Sequence, residues 1–486
     1  MNDIRNLEPK KLWNFFHELT QIPRPSKKEQ KIVEYMKEFG KRNNLETVVD
    51  NVGNVVIRKP ATKGMENRKG VIFQTHLDMV PQKNTAKKHD FEKDPIETII
   101  DGEWVKANGT TLGSDNGIGV AAAMAVLVST TIEHGPVEAL FTIDEETGMT
   151  GAFGLKEGLL KGDILLNLDS EDENEICVGC AGGMDVSAKK NYDEDNTPKG
   201  SVAYKITASG LKGGHSGVDI AMGRANSNKI MFRFLMQAES DFRIRIAEST
   251  GGNLRNAIPR ESYSVVVIPQ QLSKDFESFV QKYEKIYKNE YSDTEPDLSF
   301  KFEKAELPAK VMNEADQYKI IRAIFACPNG VQRMSQSIKD LVETSNNMAI
   351  VKCSGGKFEC HNLTRSSVDT AKEATAWEIA GVFHLIGAEI SMTGGYPGWK
   401  PNMQSPILKV LSQVYKNMFG QEADVKAIHA GLECAIIGGV YPNLDMISFG
   451  PTIKFPHSPD EKVNIASVGK FWNFIIETLK NIPEKK

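Results

Sequence analysis

A short apolar run closes on a histidine and a carboxylate in Val71-Ile72-Phe73-Gln74-Thr75-His76-Leu77-Asp78. The run predicts a buried strand, whose polar end would lie at the edge of a sheet. In His76-x-Asp78 the two side chains point roughly to the same side, so Asp78 can accept the second ring N–H of the imidazole. Such a carboxylate orients a metal-bound histidine, although a lone histidine is more often a hydrogen-bonded core residue. The neighbouring motifs therefore decide between these interpretations.

Three further apolar runs end in polar residues in the same way. The runs and the residues after them are 137–143 before Asp144, Glu145 and Glu146, 164–166 before Asp169, and 446–449 before His457. Helical patterns lie between several of these runs, and strands that alternate with helices predict an α/β sheet. Ligands of such a sheet gather beyond the carboxyl ends of its strands, which is where these polar residues would lie.

The pattern changes in the middle of the chain. Between residues 186 and 395, alternating β-branched segments are interleaved with helices, which predicts an inserted α+β domain. We therefore expect a catalytic domain of residues 1–185 and 396–486, with the inserted domain of residues 186–395 between its two parts. A turn-rich segment at 394–398 marks the return to the first domain.

A helix start is predicted near the N-terminus. In Ser26-Lys27-Lys28-Glu29 the serine and the glutamate have the spacing of a capping box, ahead of a helix through Ile32 and Met36. In that motif both side chains satisfy N–H groups of the helix's own first turn. We therefore expect Ser26 and Glu29 to stabilise this helix locally.

Composition and charge exclude several classes of protein. The 486 residues are 40% hydrophobic and 25% charged, which excludes collagen-like, disordered and disulfide-scaffold chains. Lysines and arginines number 59 against 64 acidic residues, so no basic footprint for a nucleic-acid partner is present. The longest apolar stretch, 117–128, is shorter than the roughly 18 residues of a membrane span and predicts a buried helix.

The expected compartment is the cytoplasm. The first six residues have neither the basic nor the apolar region of a secretory signal, and six cysteines suit a reducing compartment. Cys177 and Cys180 have the spacing of a zinc or redox motif, but one such pair supplies only half of a tetrahedral site. We expect these to be structural thiols.

Five residues could together hold a pair of divalent cations, namely His76, Asp115, Glu146, Asp169 and His457. Asp115 lies in a Gly-rich turn before a helix, where the plainer interpretation is an N-cap. Nitrogen and oxygen donors without a thiolate fit zinc, cobalt or manganese. Two dications with three carboxylates and one hydroxide have a formal charge of zero, whereas three clustered carboxylates alone would repel one another.

The motifs, taken in their order along the chain, resemble the M20 metallopeptidases. They are His76-x-Asp78, Gly113-Ser114-Asp115-Asn116-Gly117, Asp144-Glu145-Glu146 with Gly148, Leu168-Asp169-Ser170-Glu171, and Pro456-His457-Ser458-Pro459. The similarity runs over nearly the whole chain, including Gly179 to Gly183 and His429 to Cys434. It implies a di-zinc exopeptidase-like catalytic domain, with a mixed central sheet flanked by helices, and an inserted α+β domain for lid and dimerisation functions.

The resemblance also implies a role for each site residue. The zinc ligands would be His76, Asp115 and Asp169 for one ion, and Asp115, Glu146 and His457 for the other. Glu145 would be the general base, Asp78 would orient His76, and Co²⁺ or Mn²⁺ could substitute for the two Zn²⁺ ions. In the lid, His215 and Asn256 would stabilise an oxyanion, and Arg365 would contact the substrate carboxylate.

The activity implied by the resemblance is hydrolysis of dipeptides, with a preference for Xaa-His substrates such as carnosine and Gly-His. A homodimer is implied as well, and no membrane partner is expected. Whether His215 serves its own active site or that of a partner subunit stays open. The alternatives within the same chemistry are an aminoacylase or deacylase and a dipeptidase of broader specificity.

Two alternatives lie outside this chemistry. Gly117-x-Gly119-x-x-Ala122 fits a dinucleotide-binding fingerprint at the start of a helix, but the turn-rich loop 109–114 stands where that fingerprint needs a strand. A peptide-binding module without catalysis is the second alternative. The presence of every expected ligand together with Glu145 argues against it.

Overall fold

The structure, a computed structural model, describes residues 3–485; Met1, Asn2 and Lys486 lie outside the described part. The chain forms two compact units. The first comprises the described residues up to Gly179, Pro401–Ala427 and the chain from Leu432 onward, and the second comprises Cys180–Lys400 and Ile428–Gly431. The sequence-based division places 428–431 in the first domain, whereas these four residues group with the second unit.

Helices and strands follow one another along the chain, and we number them in chain order. The helices are α1 (Lys10–Thr20), α2 (Gln30–Arg42), α3 (Ser114–Val128), α4 (Glu145–Gly148), α5 (Thr150–Gly154), α6 (Ser227–Phe242), α7 (Ser273–Glu290), α8 (Glu314–Ala326), α9 (Asp369–His384), α10 (Pro406–Phe419), α11 (Glu433–Val440) and α12 (Ile465–Lys480). The strands are β1 (Glu46–Val49), β2 (Val55–Lys59), β3 (Val71–His76), β4 (Thr98–Asp101), β5 (Trp104–Ala107), β6 (Val137–Thr142), β7 (Ile164–Asn167), β8 (Glu175–Cys180), β9 (Gly182–Asn191), β10 (Glu194–Asn196), β11 (Ser201–Ser209), β12 (Gly214–His215), β13 (Arg245–Gly251), β14 (Ala257–Ile258), β15 (Ser262–Pro269), β16 (Ser299–Ala305), β17 (Lys310–Met312), β18 (Gly330–Met334), β19 (Val342–Ser354), β20 (Lys357–Ser366), β21 (Glu389–Tyr396), β22 (Asp424–Ile428), β23 (Asp445–Ser448), β24 (Ile453–Lys454) and β25 (Lys462–Asn464).

The central sheet of the first unit is mixed, with the strand order β1-β2-β6-β3-β7-β23-β8-β22. Its middle strands β6, β3, β7 and β23 are parallel, while β1, β2 and β8 pair antiparallel with their neighbours. Every residue of β3, β6 and β7 is buried, as expected for parallel strands covered on both faces. The carboxyl ends of the parallel strands therefore lie along one edge of the sheet.

Helix α3 is buried along almost its whole length, which confirms the helix predicted from the apolar stretch 117–128. A loop separates its first residue from the end of β5 at Ala107, so the strand that a dinucleotide fingerprint requires does not precede it. Within residues 3–485, no helix has the length and hydropathy of a membrane span.

The predicted helix near the N-terminus is present as α2, but the capping box is wrong. No side chain caps the first turn of α2. Instead, Ser26 Oγ donates to Asp78 Oδ2 at 2.8 Å, and Glu29 Oε1 accepts from the backbone N–H groups of Lys27 and Asp144. Both side chains therefore hold segments beyond their own helix, because partners brought close by the tertiary fold compete with the local cap.

The second unit is built on an antiparallel sheet with the strand order β16-β11-β15-β13-β19-β20-β9-β21, and β18 pairs with β19. Helices α6 to α9 cover one face, where alternate strand residues such as Tyr204, Ile206 and Ala208 join the core. Two short strands, β12 and β14, pair apart from this sheet and set His215 opposite Ala257. The unit is the α+β domain that the sequence predicts.

Candidate active site

Asp115 lies between two histidines in the first unit. Its Oδ1 is 3.1 Å from His76 Nε2, and its Oδ2 is 3.2 Å from His457 Nε2. Asp169 Oδ1 lies 3.4 Å from His76 Nε2, and Glu146 Oε2 lies 2.9 Å from His457 Nε2. The structure thus brings the five predicted ligands together as two groups of three that share Asp115.

The fold explains why these distant residues meet. His76 is the last residue of β3, Asp169 follows β7 by two residues, and Glu146 lies in α4 just after β6. These strands are parallel neighbours, so their carboxyl ends present the three side chains at one edge. His457 lies in the loop between β24 and β25, and its side chain is 52% exposed.

The carboxylate of Asp115 faces the histidines because another residue caps α3. The backbone N–H groups of Leu112, Gly113, Ser114 and Asp115 all donate to the carboxylate of Glu461, over distances of 2.7 to 3.3 Å. No side chain of the α3 N-terminus itself caps the helix. The plain N-cap interpretation of Asp115 is therefore wrong.

Asp78 connects His76 with the two glutamates that follow β6. Its Oδ1 lies 3.4 Å from His76 Nδ1 and accepts from the Glu145 N–H, and its Oδ2 accepts from the Glu146 N–H. Burial would raise the pKa of Asp78, but contact with His76 and the backbone donors lowers it to about 2. The backbone carbonyl oxygen of Asp78 lies closer still to His76 Nδ1, at 3.2 Å, so carbonyl and carboxylate together hold the ring with Nε2 facing Asp115.

The cluster carries more negative charge than a buried site tolerates. Burial raises the pKa of Asp169 to about 6 and holds the pKa of Glu145 well above its usual range. Hydrogen bonds with Asp115 and Glu146 raise the pKa of His457 to about 11. Protons therefore balance the carboxylates in the absence of another positive charge.

These residues fit divalent cations. The buried oxygens Glu146 Oε1 and Asp169 Oδ1 accept no hydrogen bond from any described residue. One donor atom from each member of a three-residue group lies within 4.8 Å of the others, and a third such group joins His76 with Glu145 and Glu146. Imidazole nitrogen and carboxylate oxygen are donors that zinc binds in proteins.

A glutamate that the sequence did not single out lies beneath the cluster. Glu433 is 1% exposed, and its Oε2 accepts from Gln74 Nε2 at 2.6 Å and from Thr142 Oγ1 at 2.7 Å. Burial raises the pKa of Glu433 to about 8. Because Gln74 belongs to β3 and Thr142 to β6, this side chain joins the strands that present His76 and Glu145. Its partners lie 359 and 291 residues before it, so the segment 429–434, which carries part of the family resemblance, did not reveal this role.

In the second unit, His215 is held in one tautomer. Its Nδ1 accepts from the backbone N–H groups of Gly217 and Val218, so Nε2 carries the proton of the neutral ring. Burial, followed by the charge of Arg365, lowers the pKa of His215 and favours that neutral form. The Nε2 atom lies 3.5 Å from Arg365 Nη2, so two donors lie side by side.

The structure brings Asn256 and Arg365 close to this histidine. Arg365 is buried on β20 and donates through Nε and Nη2 to Ser216 Oγ at 3.3 Å, and through Nη1 to Tyr396 Oη at 3.1 Å. The Asn256 carbonyl accepts from the Ser216 N–H at 2.8 Å, while its side chain is exposed. Sequence reasoning missed Ser216 and Tyr396, although Ser216 directly follows His215 and Tyr396 lies in the turn-rich segment 394–398.

The fold and the clustered donors are typical of α/β hydrolytic enzymes, and the chain belongs to peptidase family M20/M25/M40, whose model matches residues 72–481. The chain is 44% identical over 485 residues to a protein of Escherichia coli K12 named cytosol non-specific dipeptidase, with 100% of both chains covered. A crystal structure of an aminoacylhistidine dipeptidase from Vibrio alginolyticus is similar, with a TM-score of 0.95, 47% identity and 99% of each chain covered. These similarities confirm the predicted family and the predicted α/β fold with its inserted domain.

A more distant structure shares the fold alone. The aminopeptidase PepT from Bacillus cereus has a TM-score of 0.57 at 16% identity, over 98% of this chain and 99% of its own. The two chains therefore share a fold at low sequence identity.

Proposed function

We propose that this chain is a metal-dependent dipeptidase that prefers Xaa-His substrates such as carnosine and Gly-His. The placement of Asp115, with one carboxylate oxygen towards His76 and the other towards His457, carries the proposal. A carboxylate in that position can join two cations, which is the arrangement that hydrolysis with two metals requires. The Escherichia coli and Vibrio alginolyticus proteins, similar over the full chain, both support a dipeptidase, and the name of the Vibrio protein supports the Xaa-His preference.

The cofactor we propose is a pair of Zn²⁺ ions, for which Co²⁺ or Mn²⁺ could substitute. One ion would be held by His76, Asp115 and Asp169, and the other by Asp115, Glu146 and His457. Bound there, the pair would lower the pKa of a water molecule and polarise the scissile carbonyl. The buried carboxylate oxygens without hydrogen-bond donors support this assignment.

Glu145 would move the protons of the reaction. Glu145 is half-buried, its carboxyl group lies beside His76 and Glu146, and burial raises its pKa above the usual range, which makes the carboxylate a stronger proton acceptor. We propose that Glu145 removes a proton from the attacking water and delivers it to the leaving amine. Asp78 would keep His76 and the backbone of Glu145 in place during both transfers.

Residues of the second unit would bind the substrate. His215, with Nε2–H as a donor, and Asn256 would stabilise the oxyanion that develops at the scissile carbonyl. Arg365 would bind the carboxylate of the dipeptide, because a planar guanidinium can contact both carboxylate oxygens. Its closeness to His215 supports a shared anionic target. The inserted domain would thus act as a lid.

A dipeptidase of broader specificity is the second candidate. It is favoured by the 44% identical relative, which is named a non-specific dipeptidase. The similar Vibrio structure is named an aminoacylhistidine dipeptidase and favours the first. The two proposals share the metals and Glu145, so they differ only in how the side chains of the substrate are recognised.

A substrate panel with metal quantification tests the function. Carnosine, Gly-His, Gly-Leu and N-acetyl-histidine would be offered to the purified protein before and after chelation and after Zn²⁺ is restored. We expect hydrolysis of the Xaa-His dipeptides above Gly-Leu, no activity without metal, and recovery with about two Zn²⁺ per chain. Equal rates on Gly-Leu would favour the broader dipeptidase, preferred cleavage of N-acetyl-histidine would favour a deacylase, and full activity without metal would refute the proposal.

We further propose a homodimer in the cytoplasm. The resemblance to the M20 metallopeptidases supports the dimer, and the Escherichia coli relative that is named a cytosol dipeptidase supports the compartment. Light scattering of the purified chain would give twice its 53.8 kDa mass if the dimer forms.

A further inference from the structure

A buried glutamate and a buried arginine hold the loop of Asp115 from its two sides. Glu461 is 2% exposed and bonds to the backbone N–H groups of this loop. It accepts from the four N–H groups of residues 112–115 described above, and from Ser114 Oγ at 2.6 Å. Arg24 is also 2% exposed and bonds to a backbone carbonyl of the same loop, since its Nη2 donates to the carbonyl oxygen of Gly113. The position of Asp115 is therefore fixed by two side chains that do not face the histidines.

Arg24 also reaches the segment that follows β3. Its Nη1 donates to the carbonyl oxygens of Leu77 at 2.9 Å and Asp78 at 3.0 Å. These carbonyls directly follow His76 in the chain. One guanidinium thus joins the end of β3 to the loop of Asp115, a task that needs several donors in a fixed geometry and that a lysine ammonium cannot reproduce.

Glu461 in turn lies four residues after His457, in the same loop between β24 and β25. Its hydrogen bonds to the segment 112–115 therefore join the loop of His457 to the loop of Asp115. Three separate chain segments, which carry His76, Asp115 and His457, meet on Arg24 and Glu461. Burial of an ionisable side chain is otherwise unfavourable, so the hydrogen bonds that each residue makes to these segments stabilise it there.

We propose that Arg24 and Glu461 are positioning residues that set the distance between the two cation positions by holding the loops of His76, Asp115 and His457 in register. The inference rests on the proposed function, because it concerns the same cation pair. Neither residue touches the donor atoms of the cluster directly. Partners of this kind, which hold metal ligands in place, typically change metal affinity or activity 10- to 100-fold when replaced.

The test compares Glu461→Gln with the matched control Glu138→Gln. Glu138 is also buried in the first unit, and it accepts from Arg58 Nε at 2.8 Å and from the Lys161 N–H at 2.7 Å, neither of which belongs to a loop of the cluster. Both variants lose one carboxylate oxygen that accepts backbone or arginine donors. We would measure Co²⁺ binding by equilibrium dialysis, the Co²⁺ absorption spectrum, and the midpoint of thermal unfolding.

We expect both variants to unfold at a lower temperature than wild type. Only Glu461→Gln should bind Co²⁺ more weakly, by about 10- to 100-fold, and show a changed Co²⁺ spectrum. Saturating Co²⁺ should restore much of its turnover of Gly-His, which would not follow from a loss of fold alone. If Glu461→Gln does not fold, Arg24→Lys provides the same comparison, with Arg58→Lys as its control.

Two results would overturn the inference, and they are distinguishable. In the first, the wild-type protein binds two Co²⁺ and cleaves Gly-His, and Glu461→Gln and Arg24→Lys keep its Co²⁺ affinity and spectrum. That result would refute the positioning role and leave the proposed function standing. A wild-type protein that binds no Co²⁺ and cleaves no dipeptide would refute the proposed function, and the inference with it.

Discussion

The two units each bury a polar cluster, and the clusters are opposite in chemical character. In the first unit, carboxylate oxygens of Glu146 and Asp169 are buried without hydrogen-bond donors. In the second unit, two donors, Arg365 Nη2 and the protonated Nε2 of His215, lie 3.5 Å apart. The first cluster is rich in carboxylate oxygens and the second in N–H donors, so the first suits cations and the second suits an anionic group. The difference separates the residues expected to act on the cations from those expected to act on the substrate.

The largest effect is expected at Glu145. Glu145→Gln keeps the size of the side chain but removes the proton acceptor, so we expect kcat to fall about 10²- to 10⁴-fold with the metal content unchanged. Glu146→Gln is the matched control and should lose metal as well as activity. Metal quantification beside steady-state kinetics separates the two. An equal loss of metal in both variants would make Glu145 a ligand instead of the base.

His215 should affect the rate more than binding. His215→Leu removes the Nε2–H donor, and we expect kcat for Gly-His to fall about 10²- to 10³-fold with a smaller change in KM. His361→Leu is the control, since His361 is bonded to Ser187 Oγ elsewhere in the same unit. A higher KM at an unchanged kcat would show that His215 binds the ground state and would remove the oxyanion role.

Arg365 should discriminate between substrates with and without a free carboxylate. Hydrogen bonds to charged groups contribute about 1.5 to 3 kcal/mol, so Arg365→Lys should lower kcat/KM for Gly-His by about 10- to 150-fold. The same change should have little effect on Gly-His amide, which lacks the carboxylate. Tyr396→Phe, which keeps the guanidinium and removes one of its acceptors, is the milder control. Equal losses on the acid and the amide would contradict the carboxylate contact.

The smallest effect is expected on the stability of the protein at acidic pH, through His429 beside the donors Arg365 and His215. Burial, followed by the charges of Arg365 and His215, lowers the pKa of His429 to about 3, and its Nε2 lies 2.7 Å from Ser345 Oγ. The folded chain thus favours the neutral ring. The contribution of His429 to the free energy of unfolding is therefore present above pH 6.5 and is lost as the pH falls towards 3. His429→Gln should make the unfolding temperature fall less steeply between pH 6.5 and pH 4. Identical slopes in both proteins would contradict this origin of acid sensitivity.

The sequence revealed the parts of the fold that are encoded locally. The apolar runs at 137–143, 164–166 and 446–449 correspond to strands β6, β7 and β23, because parallel strands buried on both faces leave continuous apolar stretches. The same reasoning singled out His76 and Asp169 from their positions at strand ends. The structure brings the five selected side chains together, while cation binding by them remains a proposal.

What the sequence could not reveal is held by contacts between distant segments. Ser26 and Glu29 have the spacing of a local cap, yet their partners Asp78 and Asp144 lie 52 and 115 residues away. Glu461 bonds to a loop more than 340 residues before it. Local patterns record the preferences of neighbouring residues, and such long-range polar contacts depend on where the completed fold places each segment.

Zinc positions in a crystal of the purified protein would test the central claim most directly. Crystals grown with Zn²⁺ should show two anomalous-scattering peaks, one bound by His76 and Asp169 and one by Glu146 and His457. Asp115 should contact both peaks, with metal–ligand distances of about 2.0 to 2.2 Å. A single peak, or none between the two imidazoles, would contradict the account.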